Sequence, residues 1–470
     1  MAAEAKRRTG RKTKARRKRI GRVTVYPHHG GWWIYYREDG KPVRRRAGDD
    51  PVEAERVAAE VNAQLSRAAP TLFSFKPITV GQLVADFLTD HEQVRRSSIA
   101  TINRYRTALE HLVAFMATDS SERPAHQLDA TRFVAFLRSR LVSSNGHANT
   151  RPRSLSDKGI RFILEVCRSL YRFAARRRHL PPYSDNPFES LSIDRMRIDD
   201  AKRVFVFDAK SELAFLRGCR DWEFAVHATL SKTGMRPGEL CHLLIEELDL
   251  DNGWIRIRNK PELGWSVKTR NERDIPLVVE LRDLLGVVIA NRTAGPVFLR
   301  PQFRHSDRGC DREELGRRLQ KRIAVYREQV GRAPSRTERA KLAARLWGDA
   351  GALDPDQVRR SFIRVANRVG LAGATCPKSW RHTFATLLQD ANVDPLLRQL
   401  TLGHKPSGAG GALGMTAVYT HSRPTTHAIE IERAVRLWPE SLELIRERIG
   451  VRRNGPAGAF ESASSTNCPL

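Results

Sequence analysis

Six positions in the C-terminal half of the chain carry side chains able to act on one anion: Arg236, Lys268, Lys378, Arg381, His404 and Tyr419. Arg236 lies in TGMRPGEL (233–240), three residues ahead of Glu239 and just after an apolar, helix-like run. Taken alone, Arg-x-x-Glu at this spacing is an ordinary, weakly stabilising surface ion pair. Lys268 stands in GWSVKTRNERDIPL between two short β-like runs, a hairpin able to carry one lysine into a cleft; Lys260 on the preceding strand is its rival. KSWRHTFATLL begins a helix with Lys378, Arg381 and His382, LTLGHKP ends another at Gly403-His404, and TAVYTHS holds Tyr419 shortly before a further helix. Forked guanidiniums stay charged at any cellular pH and match the oxygens of a phosphate. A phenol shielded by cations can become a nucleophile. Together these residue types suit attack on a phosphodiester.

The bulk charge agrees with such a substrate. Lys and Arg number 82 against 53 Asp and Glu, a formal net charge of +29 over 470 residues. A surplus of that size repels itself unless a polyanion compensates it, so nucleic acid is the first candidate partner and anionic membrane the second. No apolar stretch approaches the roughly 18–20 residues needed to cross a bilayer, and no membrane association is expected. A hydrophobic content of 40% and eight tryptophans are ample for true cores, and the length suggests about two to four domains. The six cysteines are scattered without a C-x-x-C pair, which argues against a zinc module or a disulfide framework and fits a reducing compartment. The basic N-terminus lacks the apolar core of a secretory signal. A cytoplasmic protein is expected, and with neither a Walker loop nor an evident metal-ligand cluster, no cofactor and no metal.

The ordered series T-G-M-R-P-G-E-L, K-T…R-x-I-P-L, R-H-T-F-A-T, L-G-H and V-Y-T-H, inside so basic a chain, resembles the catalytic domain of the tyrosine recombinases, the phage integrase family. The resemblance covers about Asp199 to Trp438, and the modules upstream are similar in order to that family's arm-binding and core-binding domains. It implies a site-specific DNA recombinase, an integrase of a mobile element, acting on double-stranded DNA as a homo-tetramer on paired sites. Arg236 and Arg381 would hold the non-bridging phosphate oxygens, with Glu239 orienting Arg236. Lys268 would protonate the leaving 5′ oxygen and His404 would hydrogen-bond the phosphate. Tyr419 would attack to give a 3′-phosphotyrosine, and His382 would pack and hydrogen-bond rather than react. A type IB topoisomerase shares this chemistry, and a non-catalytic DNA-binding protein shares the fold; the separate upstream modules and the intact Arg236, Lys268, Arg381 and Tyr419 argue against them.

Two features leave the family pattern. Lys378 stands where most relatives carry histidine; a lysine is charged near neutrality and suits holding the phosphate better than acting as base for Tyr419. The stretch KPSGAGGALGMTAV between His404 and Tyr419 is longer and richer in glycine than usual. It implies a flexible tether, leaving open whether Tyr419 attacks in its own subunit or a neighbour's.

The elements that must position these groups form a mainly α chain with small β parts, an α+β class. Residues 1–20, nearly all basic and small, are expected to be a disordered arm. Residues 21–66 read as an arm-type DNA-binding β-module: a strand with Val23 and Val25, an aromatic strand around Trp32–Tyr36, an Asp39-Gly40 hairpin turn, and a returning strand bearing Arg44, Arg45 and Arg46. Asp50-Pro51 with Glu53 then starts a helix. Residues 66–77 read as a linker. Residues 78–192 form a helical core-binding domain of four helices, one with a stripe of Ile102, Tyr105, Leu109, Leu112 and Met116. The catalytic domain spans 199–449 and includes a polar insertion at about 300–351, where Ser335 and Glu338 make a capping box and Gly348 stops a helix after Trp347. Residues 450–470 are expected to fray.

Overall fold

The computed structural model describes residues 17–68, 71–119, 124–143, 149–182, 184–199, 204–303, 309–404 and 423–454. Most of the expected arm, most of the C-terminal tail, the glycine-rich stretch and Tyr419 lie outside the described residues. The chain divides into two compact units, 1–201 and 202–470. Its described elements are mainly helices with small antiparallel sheets.

The first unit opens with a four-stranded meander: β1 (Lys18–Ile20), β2 (Val23–His28), β3 (Gly31–Glu38) and β4 (Lys41–Gly48). Lys18–Ile20 therefore leave the expected arm and pair with Val23–Val25, because a half-buried Ile20 extends the apolar face of the sheet. Asp39 and Gly40 both adopt positive φ (49° and 76°), as a two-residue turn matching strand twist demands. Helix α1 (Pro51–Ser66), capped by the Asp50 carboxylate, covers one face through Ala54, Ala58 and Val61 against Val23, Val25, Ile34 and Tyr36. Arg45 pairs with Ile34 and so points to this helix-bearing side, whereas Arg44 and Arg46 pair with Tyr35 and Trp33 on the open face. The three arginines of the returning strand thus divide between two faces, since side chains alternate along a strand. The stretch read as a linker is held down. Thr71, fully buried, bonds to the Glu38 carboxylate and lies 3.1 Å from the Tyr36 hydroxyl, and its carbonyl accepts from Arg178.

The helical part of this unit comprises α2 (Val80–Thr89), α3 (Ile99–Asp119), α4 (Ala130–Ser139) and α5 (Asp157–Arg176), with a small β5 (Leu141–Val142) and β6 (Arg153–Ser154) pair before the last. Leu109, Leu112 and Met116 of the α3 stripe are buried in its core, with Tyr105 packed at the edge, and Ile102 is buried as well.

The second unit centres on α7 (Asp221–Thr233), every residue of which from Glu223 to Thr233 is buried. Around it lie α6 (Ala209–Arg217), the short α8 (Pro237–Cys241), a sheet of β7 (Leu248–Asp249), β8 (Trp254–Ile257) and β9 (Arg273–Pro276), and α9 (Val279–Ile289). Beyond them follow α10 (Arg312–Val330), α11 (Arg336–Asp349), α12 (Pro355–Arg368), α13 (Lys378–Asp390), α14 (Pro395–Leu402), α15 (Pro424–Val435) and α16 (Pro439–Asn454). Trp380 stacks on Phe207 with centroids 3.9 Å apart and fixes α13 in this core. The insertion folds as an α10–α11 hairpin with an apolar core of its own, including Leu315, Leu319, Leu346 and Trp347. The Ser335–Glu338 capping box is present, but the helix runs past Gly348 to Asp349. The positive φ falls instead on Gly351 (84°), where a side chain would meet Phe303.

Candidate active site

Arg236 and Glu239 owe their relation to the start of α8. Pro237 occupies the first helical position, which needs no N–H, and Glu239 occupies the third, from which its Oε2 accepts the Arg236 backbone N–H at 2.9 Å. Its Oε1 accepts Arg236 Nη1 at 2.8 Å. The RPGE spacing thus folds the arginine's backbone and head group onto one carboxylate.

A second arginine shares that carboxylate. Arg273, the first residue of β9 and the arginine of R-x-I-P-L, donates to Glu239 Oε2 at 2.7 Å and Oε1 at 3.2 Å, while its Nε reaches the Thr401 carbonyl at 2.8 Å. Sequence reasoning noticed its motif and assigned it no role, because Glu239 lies 34 residues away. Burial alone would raise the Glu239 pKa; the hydrogen bonds and charge of Arg273, helped by Arg236, hold it below the usual carboxylate value.

Arg381 comes in from one turn inside α13. Its Nη1 donates to the Gly234 carbonyl at 2.8 Å, and its Nη2 bonds the Leu402 carbonyl and lies 3.2 Å from His404 Nε2. Gly234 ends α7 at φ 61°, and a Cβ there would stand 2.4 Å from Phe384, so both backbone and packing require glycine. Gly403 ends α14 in the same left-handed way, and His404 follows it. Burial, then the charge of Arg236, pushes the Arg381 pKa down to about 10, which still leaves it charged at neutral pH. Partial desolvation, followed by the charges of Arg381, Arg236 and Arg273, lowers that of His404.

The two candidate lysines of the β8–β9 connection have different fates. Lys260 is 1% exposed, paired with Glu247 at 2.7 Å and set over the Trp265 ring. Lys268 is exposed, and no hydrogen bond or ion pair engages it among the described residues. The two β-like runs expected to flank it are not both strands. β8 pairs directly with β9, and residues 258–272 form a long excursion in which Val267 to Arg270 make the turn carrying Lys268. Thr269 Oγ1 donates to the Gly403 carbonyl at 3.3 Å, tying this turn to the residue before His404.

Lys378 opens α13, exposed and without a recorded partner among the described residues, one helical turn before Arg381 and His382. His382 is half-buried, and desolvation, then Lys378 and Arg381, lowers its pKa. The structure therefore gathers Arg236, Glu239, Arg273, Arg381 and His404 directly, with the Lys268 turn bound at Gly403. Arg44, Arg45 and Arg46 belong to the other unit. A cavity of about 940 Å³ adjoins the cluster, lined among others by Arg256, Arg270, Arg273, His404, Pro424 and His427. Among the described residues, no three His, Cys, Asp or Glu side chains come together as a metal site would require.

Three guanidiniums and one carboxylate leave an uncompensated positive charge in a half-covered cleft. Arg236 and Arg381 retain N–H donors that no acceptor occupies among the described residues, since each guanidinium has five. Such an arrangement is chemically able to hold anions, a phosphoryl group under attack among them. Residues 219–426 match the model of the phage integrase family.

Similar proteins include a tyrosine recombinase XerC of Thermodesulfovibrio yellowstonii, 23% identical over 236 residues, covering 50% of this chain and 60% of that one. A tyrosine recombinase XerD of Listeria innocua is 22% identical over 347 residues, covering 73% of this chain and 94% of its own. The chain thus spans about three fifths of the XerC and nearly all of the XerD. Among solved structures, the Tn1549 transposon integrase in complex with a circular intermediate DNA aligns at TM-score 0.43 and 20% identity, over 76% of this chain and 99% of that one. A lambda integrase (75–356) dimer bound to a COC′ core site aligns at TM-score 0.45 and 14% identity, over 70% and 96%.

Proposed function

We propose that the chain is a site-specific DNA recombinase that integrates a mobile element by cutting and rejoining strands of double-stranded DNA. The observation that carries this reading is the sharing of the single carboxylate Glu239 by Arg236 and Arg273, with Arg381 and His404 in contact alongside. With three guanidiniums against one carboxylate the cluster keeps an excess of positive charge that suits a phosphodiester monoanion and the further negative charge developing on it under attack.

In this reading the Tyr419 oxygen attacks phosphorus, the bond from phosphorus to the 5′ oxygen breaks, and Lys268 gives that oxygen its proton. Arg236 and Arg381 hold the two non-bridging oxygens, and His404 donates a hydrogen bond to the phosphate. Lys378 clamps the same group. Attack by the 5′ hydroxyl of a second strand on the 3′-phosphotyrosine releases Tyr419 and seals the new bond, so no external energy source enters. Paired sites call for a homo-tetramer. The open face of the β-module, with Tyr26, Trp33, Tyr35, Arg44 and Arg46, is the surface offered to a distal DNA site.

The test is covalent trapping on a nicked suicide substrate. Wild type should accumulate a protein–DNA adduct, and Tyr419→Phe should bind the same DNA and form none. An adduct persisting in the variant would remove Tyr419 from the mechanism. Two other tyrosines are otherwise engaged: Tyr326 bonds the Glu338 carboxylate, and Tyr105 packs against Phe87 and His91. Adduct formation without exchange between two duplexes would instead point to a topoisomerase.

A further inference from the structure

The α10–α11 insertion packs on the excursion that carries Lys268. Trp347 Nε1 donates to the Leu263 carbonyl at 3.2 Å, and Gly264, at φ 71°, lies so close to α11 that a Cβ there would come within 2.5 Å of Ala343. Leu263 itself is buried in the insertion's apolar core. From α10, Arg312 pairs with Glu262 through Nε at 2.5 Å and donates through Nη2 to the Asn259 carbonyl at 3.0 Å. Asn259 then brackets the lysine turn: its Oδ1 accepts the Val267 N–H at 2.9 Å and its Nδ2 donates to the Arg270 carbonyl at 3.2 Å. An unbroken series of contacts thus runs from the insertion through Asn259 to both ends of the turn bearing Lys268.

We infer that the α10–α11 insertion is a positioning device for the proton donor, with Arg312 and Trp347 as its working contacts. The inference rests on the assignment of Lys268 proposed above. The excursion is closed on itself by the Lys260–Trp265 bridge and by Asn259 bonding Val267, Arg270 and Glu272, contacts that shape it without fixing where it stands. Its two ends are set by β8 and β9, and the sheet alone does not fix where a lysine eleven residues beyond Ile257 will stand. The insertion adds a constraint to those that Lys260 makes on Glu247 and Thr269 makes on Gly403. A proton donor displaced by about an ångström loses much of its catalytic advantage.

Arg312→Ala, at a partly exposed side chain, and Trp347→Phe, which removes the N–H and keeps a ring, are the variants to make alongside Lys268→Ala. Single-turnover cleavage is measured on an ordinary substrate and on one whose 5′-bridging oxygen is sulfur, with DNA affinity and thermal unfolding alongside. The sulfur leaves as a thiolate, its thiol pKa being near 8.5, and needs no proton. Lys268→Ala should lose about 10²-fold or more on the ordinary substrate and recover on the sulfur one. Arg312→Ala and Trp347→Phe should lose about tenfold on the first, a partial loss of the same catalytic term, and likewise recover on the second, with affinity and unfolding near wild type. If Lys268→Ala recovers while both insertion variants cleave like wild type, or lose rate equally on both substrates, the insertion is not a positioning device although Lys268 remains the acid. If Lys268→Ala fails to recover, the assignment of the acid falls, and this inference with it.

Discussion

Arg381 and His404, 23 residues apart in the chain, meet with Nη2 3.2 Å from Nε2. A guanidinium only donates, so Nε2 must hold a lone pair and Nδ1 carries the ring proton. That tautomer leaves an N–H free for a phosphate oxygen. Because the His404 pKa lies below its ordinary value, protonation of Nε2, which would break the contact, begins only below about pH 6.5. Cleavage by wild type should hold level as pH falls to that point and decline beneath it. His404→Gln keeps an acceptor and a donor but cannot titrate, so its rate–pH profile should lack this decline. A decline of equal size in the glutamine variant would assign it to another group.

Arg236→Ala and Arg381→Ala should each slow cleavage by about 10²–10³-fold, the cost of removing one preorganised donor to a developing oxyanion. DNA affinity should change much less, since each is one phosphate contact among many in a chain of net charge +29. Equal losses in a binding titration and a cleavage assay would move these arginines out of the active site.

Glu239→Ala should destabilise the second unit by about 3–5 kcal/mol, because it leaves the Arg273 guanidinium buried without its carboxylate. Chemical denaturation followed by tryptophan fluorescence measures this. An unchanged midpoint would show that Arg273 finds another acceptor or water.

Lys378 separates holding from proton transfer. Lys378→His should retain activity, since a basic side chain still reaches the phosphate; made together with His404→Gln, which removes the decline assigned to His404, it should show a rate limb near pH 6.5 that His404→Gln alone lacks. Lys378→Ala loses charge and donor together and should be strongly impaired. Single-turnover cleavage from about pH 5.5 to 9.5, spanning the histidine value and approaching that of tyrosine, distinguishes them. Full activity in the alanine variant would remove Lys378 from the set.

Two buried histidines predict acid sensitivity of the fold. His227, between Ser361 and Trp380, is held down to about 3 by burial. Burial holds His242 down to about 4, with Lys260 adding to the effect and the Gly238 carbonyl opposing it. Above about pH 6.5 neither folded nor unfolded chain binds these protons; below it the unfolded chain binds them first. Stability therefore falls with falling pH, by about 1.4 kcal/mol per pH unit for each histidine. Between about pH 6 and 5, where most carboxylates stay ionised, His227→Gln should reduce the slope of unfolding free energy by one proton's worth. An unchanged slope would mean that His227 is protonated in the folded chain.

Much of the site was legible because its signals are local. Pro237 and Glu239 around Arg236, the Gly403 helix end before His404, and the helix beginning at Lys378 each depend on a few neighbouring backbone groups, so residue type and spacing suffice to read them. The Asp39-Gly40 turn and the α3 stripe are legible for the same reason. What lay beyond the sequence depends on distant partners. Arg273 stood in a recognised motif, yet its hold on Glu239 exists only once β9 and α8 pack together. Its motif alone favours Lys268 over its rival Lys260; burial against Glu247 is what takes Lys260 out of solvent and leaves Lys268 in it. The polar insertion was visible as a helix with a capping box and gave no hint of resting on the lysine excursion, because Trp347 and Leu263 stand 84 residues apart. Short-range propensity is written in adjacent residues, whereas the burial that chooses between two charges is settled only when remote segments exclude water around one of them.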